Sequence, residues 1–131
     1  MRLEAAMLAN HAEANGSLLS VLGGGWEHFA VGALPAIVTG YVAGIAAREP
    51  EEMGTDIAMD LSLYDPDGTA VAAATIRFTT LHVGTAQGVP ARTAFTFPFS
   101  IPVNEPGVFR VSLVYDDAEI ASLPFEVQGP L

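Results

Sequence analysis

The stretch from Gly107 to Val127, G-V-F-R-V-S-L-V-Y-D-D-A-E-I-A-S-L-P-F-E-V, decides how this chain folds. Phe109, Val111, Leu113 and Tyr115 alternate with Val108, Arg110, Ser112 and Val114. After a short acidic turn, Ala121, Leu123, Phe125 and Val127 alternate with Ser122, Pro124 and Glu126. A pleated strand sends successive side chains to opposite faces, so the two runs form an antiparallel hairpin with one apolar face. A lone hairpin is not stable in water, and its apolar face requires a second layer.

The rest of the chain supplies that layer. Ile57, Met59, Leu61 and Leu63 alternate with Asp56, Ala58, Asp60 and Ser62. Tyr64-Asp65-Pro66-Asp67-Gly68-Thr69 is a turn in which Pro presets φ, Asp bonds nearby backbone and Gly accepts φ > 0. Ala70 to Thr79 then returns with Ala72, Ala74, Ile76 and Phe78 on one face, predicting that these two strands pair. Phe95, Phe97, Phe99, Ile101 and Val103 mark another strand, interrupted on its other face by Pro98, which cannot donate to a ladder and predicts a sheet edge or a bulge. Near the N-terminus, Leu3, Ala5, Met7 and Ala9 read as one face of a first strand, His11 to Gly16 as a polar connection, and Ser17 to Leu22 as a second strand. Phe29 to Ala47 carries no charge and approaches spanning length, but its glycines, Pro35, Thr39 and Tyr41 suit a buried strand after a loop better than a membrane helix. Ile37, Thr39, Tyr41, Ala43 and Ile45 share one face of it. Arg48 to Gly54 and Leu81 to Pro90 read as loops. The expectation is an all-β fold: one domain over residues 1–131, an antiparallel two-layer β-sandwich of seven or eight strands, immunoglobulin-like or fibronectin-like.

Three motifs extend this reading. Leu22-Gly23-Gly24-Gly25-Trp26, Leu63 to Gly68 with its Asp-Pro-Asp-Gly turn, and Leu123-Pro124-Phe125-Glu126-Val127 occur in an order and spacing covering essentially the whole chain. In them the sequence resembles a family of small uncharacterised bacterial proteins, a domain of unknown function. The resemblance implies a fold and brings no activity with it. The turn Asp116-Asp117-Ala118 departs from the Asp-Gly that such a hairpin favours.

Composition excludes several classes of function. The 131-residue chain has no Cys, so thiol chemistry, thiolate metal sites and disulfides are absent. Its five basic residues are all Arg, and 15 acidic residues bring the formal charge to −10, which repels phosphate backbones and anionic lipid. No nucleic acid, no membrane span and no cofactor are expected, and the N-terminus makes a poor signal peptide, so the expected location is cytoplasmic. Ala, Gly and Arg richness without Lys resembles the product of a high-GC bacterial genome. Half of the residues are hydrophobic before the 13 Gly are counted, more than a typical domain carries, which points either to apolar surface facing a partner or to a count inflated by Ala, which is small and sits anywhere.

Catalytic chemistry finds little purchase here. No G-x-S-x-G elbow is present, and each Ser lies in a strand or turn context. His11 and Glu13 sit two apart, as on one strand face, and His82 would have to approach them to complete a metal triad; no metal site is expected. Glu27 and His28 form the other local pair. Asp65-Pro66-Asp67-Gly68 opens like a calcium loop, yet Ile76 stands where a bidentate Glu is needed. The tri-glycine lacks the Lys of a phosphate loop. The expected function is therefore non-enzymatic: a structural or protein-interaction module, adaptor or assembly subunit, with a protein partner or a homo-oligomer. The alternative is a small-ligand binder using loops at one end of the sandwich. Gly24, Trp26, His28, Phe97 and Pro98 are the candidate contact residues, with Trp26 either presented to a partner or folded back over the core.

Overall fold

The computed structural model of the chain describes residues 1–49, 56–78 and 89–130. Nine strands run through them in chain order: β1 (Arg2–Asn15), β2 (Leu18–Gly24), β3 (His28–Ala30), β4 (Ala36–Arg48), β5 (Ile57–Tyr64), β6 (Ala70–Phe78), β7 (Ala91–Val103), β8 (Gly107–Tyr115) and β9 (Ala118–Gln128). They form two sheets, sheet one ordered β2-β1-β4-β7 and sheet two ordered β3-β9-β8-β5-β6. The fold is an all-β two-layer sandwich.

The period-two runs place its core. Phe109, Val111 and Leu113 of β8 with Phe125 and Val127 of β9 are buried on one sheet, beside Ile57, Met59, Leu61 and Leu63 of β5. Facing them are Phe95, Phe99, Ile101 and Val103 of β7, Val38, Val42 and Ala46 of β4, and Leu8 of β1. β5 pairs with β6 and β8 with β9, both antiparallel, as the alternation predicts. Aromatic rings pack within and between the layers: Phe109 stacks on its cross-strand neighbour Phe125 at 5.7 Å, and Phe99 of the other sheet lies 6.4 Å from Phe125 across the interface. β7 is an edge strand, as Pro98 predicts, and among the described residues its strand pairing is with β4.

The strand count and several boundaries differ from the sequence reading. β3 is the strand beyond the expected eight; three residues long, it pairs parallel with β9, His28 opposite Glu126, and so short a run shows no periodicity. The expected polar connection from His11 to Gly16 is strand as far as Asn15. A two-residue turn, Gly16-Ser17, closes a hairpin with β2, and the polar side chains of this part simply face water. The expected face Leu3, Ala5, Met7, Ala9 is broken by a register shift between Leu3 and Ala5, after which Ala6 and Leu8 point to the core. An extra residue in one strand inverts the facing of everything beyond it, which alternation alone does not reveal. β4 is the buried strand expected within 29–47, with Val38, Val42 and Ala46 in the core, so Ile37, Thr39 and Tyr41 face outward. The expected loops at 48–54 and 81–90 lie mostly outside the described residues.

Two turns show their chemistry directly. Asp65 Oδ1 accepts from the backbone N–H of Asp67 at 3.0 Å and of Thr69 at 2.9 Å, while Gly68 sits at φ 82°. The β8–β9 turn, Asp116-Asp117, has φ of 53° and 61°, so both residues adopt the left-handed region of a type I′ hairpin without a glycine.

β4 packs closely because it carries glycine at two core-facing positions. A Cβ at Gly40 would run into the Trp26 ring and lie 3.1 Å from Phe99, and one at Gly44 would lie 2.6 Å from Phe95. Gly40→Ala is therefore expected to lower stability by about 1–3 kcal/mol through overpacking. Urea unfolding should show a lower midpoint at unchanged m-value.

Candidate functional site

The region around Trp26 is built by its glycines. Gly23 and Gly25 hold φ of 59° and 85°, where a side chain would be strained, so the chain turns out of β2 sharply enough to bring the indole back over the sandwich. Gly25 N–H donates to Leu8 O at 2.7 Å, fixing the start of this turn on β1. The half-buried indole then contacts Phe29 at 5.2 Å, Phe125 at 5.8 Å and Phe99 at 5.9 Å, spanning both sheets. Its Nε1–H donates to Asn10 Oδ1 at 2.9 Å, which gives the ring's one polar atom a partner. Trp26 folds back over the core.

The five candidate contact residues do not converge. Gly24 ends β2 opposite Ala9, His28 lies exposed at the far edge of the other sheet, and Phe97 alternates with Pro98 on β7. Pro98 is exposed and pairs with Tyr41 on the outer face of the four-stranded sheet. A hollow of about 400 Å³ opens there, lined by Asn10, Thr39, Tyr41, Pro98 and Ser100 among others. His11 and Glu13 do share a face, with Nε2 and Oε1 3.2 Å apart, and the His11 ring meets Tyr41 edge-on at 4.9 Å. His82, the third member of the imagined triad, lies outside the described residues. Among the described residues, no three His, Asp or Glu side chains gather as a metal site.

Three features escaped the sequence reading. Beyond Ala9, β1 leaves β4, and the β1–β2 hairpin crosses the sheet until Gly16 O accepts from Ala94 N–H of β7 at 2.9 Å. Ala9 and Ala43 are buried on this side although they do not face the main core. Along β2, Leu18 and Leu22 remain 71% and 68% exposed, and Ile37 of β4 remains 70% exposed. A repeat of large apolar residues at i and i+4 on a strand, with Ser between, is the only sequence signal for the first pair.

The second feature is the polar outer face of the five-stranded sheet. Glu119 Oε2 accepts from Ser112 Oγ at 2.5 Å and from Arg110 at 2.8 Å, and Arg110 lies over the Tyr64 ring at 4.9 Å. The Ser112 hydrogen bond, then Arg110, hold the Glu119 carboxyl below the usual carboxylate range. On the other sheet, Glu4 is lowered in the same way by Arg92, bonded at 2.5 Å. The third feature is Arg48, buried, with a guanidinium N–H donating to Phe78 O at 2.9 Å.

A family model described as a family of unknown function, DUF6941, matches residues 4–128. The chain belongs to that family. A comparison with curated proteins finds no match. Among solved structures, an immunoglobulin-like protein from Pseudomonas aeruginosa shares 12% identity at a TM-score of 0.44, over 97% of this chain and 95% of its own. An alkylpurine DNA glycosylase, AlkC of Pseudomonas fluorescens, bound to DNA containing an abasic site analog, shares 12% identity at a TM-score of 0.45. That alignment spans 94% of this chain but only 30% of the glycosylase. Likeness at this level carries nothing about activity. No helix among the described residues is long and apolar enough to cross a membrane.

Two outcomes are expected. Trp26→Ala should cost about 3 kcal/mol, the lower end of the range for a large aromatic because the ring is only half buried. Trp26 is the sole Trp, so native emission should be blue-shifted and move red on unfolding. For Glu119 the sign follows from its lowered pKa: the folded state favours the ionised carboxylate, so this stabilisation is present above about pH 4.3, the unfolded value. It is lost as pH falls through the folded pKa. The melting-temperature difference between wild type and Glu119→Gln should accordingly be visible at pH 7 and vanish at low pH.

Proposed function

We propose that this chain is a non-enzymatic structural or protein-interaction module, an adaptor or a subunit of a larger assembly, working by contact along its four-stranded sheet. The observation that carries this reading is the exposure of Leu18, Leu22 and Ile37 on that one sheet, each near 70%. A single exposed Leu needs no explanation, whereas large apolar side chains grouped on one layer cost solubility unless something covers them. The opposite layer is more polar: Arg110 and Ser112 both donate to Glu119 on its outer face, where Val108, 54% exposed, is the large apolar side chain left uncovered among the described residues. The formal charge of −10 directs such contact toward neutral or basic protein surfaces and away from phosphate backbones.

A small-ligand reading has less support. The loops that would hold the ligand lie mostly outside the described residues, and the hollow beside Tyr41 and Pro98 is shallow and open to solvent.

The test is the size of the native particle. Sedimentation velocity of protein purified from its native host at low salt is expected to give a species larger than the 13.7 kDa chain. A 13.7 kDa monomer at 100 µM that copurifies with nothing would overturn the reading.

A further inference from the structure

We propose that two copies of this chain associate through the free edge of β2, related by a two-fold axis at Ser20, so that their four-stranded sheets join into one. This rests on the interaction-module reading and names its partner.

The four edges of the two sheets differ in what they offer. β7 carries Pro98 and Pro102 and is tied at Ala94 by the hairpin tip, and β3 is only three residues long. Proline and shortness are the usual means by which an edge is kept from pairing. β6 ends in Arg77-Phe78 and exposes mainly Ala and Thr along its open side. β2, in contrast, has no proline and no charge, and it exposes two leucines. Among the described residues its backbone bonds to β1 alone.

The backbone geometry allows the join. Asn15 and Leu18 flank a two-residue turn that has Gly16 at φ 64°. Such a closing pair is hydrogen-bonded, and bonding alternates along the ladder. Leu18, Ser20 and Leu22 therefore direct their N–H and C=O groups at β1, opposite Asn15, Glu13 and His11. Leu19 and Val21 direct theirs at the free edge. An antiparallel pairing centred on Ser20 sets Leu19 against Val21 of the second copy, both with outward groups, so these residues exchange hydrogen bonds on each side of the axis. The non-hydrogen-bonded positions, where side chains approach most closely, then hold Leu18 against Leu22 of the second copy, twice, with Ser20 against Ser20 between them.

The order L-L-S-V-L over residues 18–22 is thus apolar-symmetric about its centre, which is what a two-fold contact demands of a single strand. Electrostatics agrees. In a chain of formal charge −10, β2 contains no acidic residue. The nearest, Glu13 on β1, would lie three strand spacings from its symmetry mate, about 14 Å, beyond the screening length of physiological salt. Anchoring of the hairpin tip through Gly16 and Ala94 holds the edge ready before the partner arrives.

The experiment is a charge swap at the opposed leucines, both exposed enough that folding should be unaffected, which circular dichroism checks. Sedimentation equilibrium of the wild type is expected to show a dimer at tens of micromolar. Leu18→Glu alone and Leu22→Lys alone should each weaken dimerisation about tenfold or more, since each puts a charge against leucine at both symmetry-related pairs. Mixed in equal amounts, the two variants should recover the dimer, because one pair becomes Glu against Lys and the other stays Leu against Leu. A wild type that remains monomeric at 100 µM overturns the proposal, as does a dimer that L18E leaves intact or a mixture that shows no recovery. A larger particle that survives L18E would sink this edge while leaving the interaction-module reading standing.

Discussion

The contact between Trp26 and the bare backbone of Gly40 is the constraint around which the sandwich closes. Two twisted sheets packed face to face diverge at their corners, and a corner left open would admit water to Phe99 and Phe125. The indole fills that gap because three conditions meet. The positive φ at Gly23 and Gly25 turns the chain back, the missing Cβ at Gly40 makes room for the ring, and Asn10 accepts its N–H. Each condition is useless without the others. A chain that ended β2 with ordinary residues would point Trp26 at solvent, and a β4 with alanine at position 40 would hold the ring off the sheet.

How much of this is legible in the sequence depends on whether the signal is local. Alternation in β5, β7, β8 and β9 names their core residues correctly because each has one buried face, and the register shifts in the β5–β6 and β8–β9 pairings fall next to the turns, after Leu63 and Leu113. The Asp65 turn is legible for the same reason, since its hydrogen bonds span at most four residues. β1 is not legible in this way. Its register shift after Leu3 is forced by pairing with β4, so the sequence carries alternation in two phases with nothing local to mark the change. Ile37, Thr39, Tyr41, Ala43 and Ile45 likewise form a true face of β4, yet whether that face is core or surface is decided by where sheet two lies. The small residues Gly40 and Gly44 on the other face, which look like weak core positions, are the ones facing the largest rings.

The candidate site was legible only in part. Trp26 announces itself as the only Trp after three glycines, but its hydrogen-bond partner, 16 positions away, does not. Pro98 correctly marks an edge, although the edge it marks is one that proline and the hairpin tip together close against pairing. The edge that exposes leucine is β2, where the telling feature is something missing, namely charge and proline, and absence is hard to weigh until the strand order shows that no other described strand pairs with it.

The two layers have solved the problem of an outer face in opposite ways. Sheet two uses cross-strand polar pairs, with Ser112 and Arg110 converging on Glu119 and Arg110 lying on Tyr64, so its side chains find partners within the chain. These exposed pairs add little to stability individually. Their effect is to pair the polar side chains of that face within the chain, leaving Val108 as its exposed large apolar residue among the described residues. Sheet one instead covers part of its outer face with its own hairpin, burying Ala9 and Ala43 at alanine-sized cost. That device moves the exposed apolar surface without removing it: folding the hairpin across β4 shields the alanines but carries Leu18 and Leu22 outward on its free edge. A chain selected to be solitary would place Lys or Glu at those two positions, as natural edge strands commonly do. Keeping leucine there, in a protein with 15 acidic residues to distribute, gives the hairpin's edge two of the three most exposed large apolar side chains among the described residues, Leu18 and Leu22 with Ile37 between them in rank, and is the ground on which the proposed association rests.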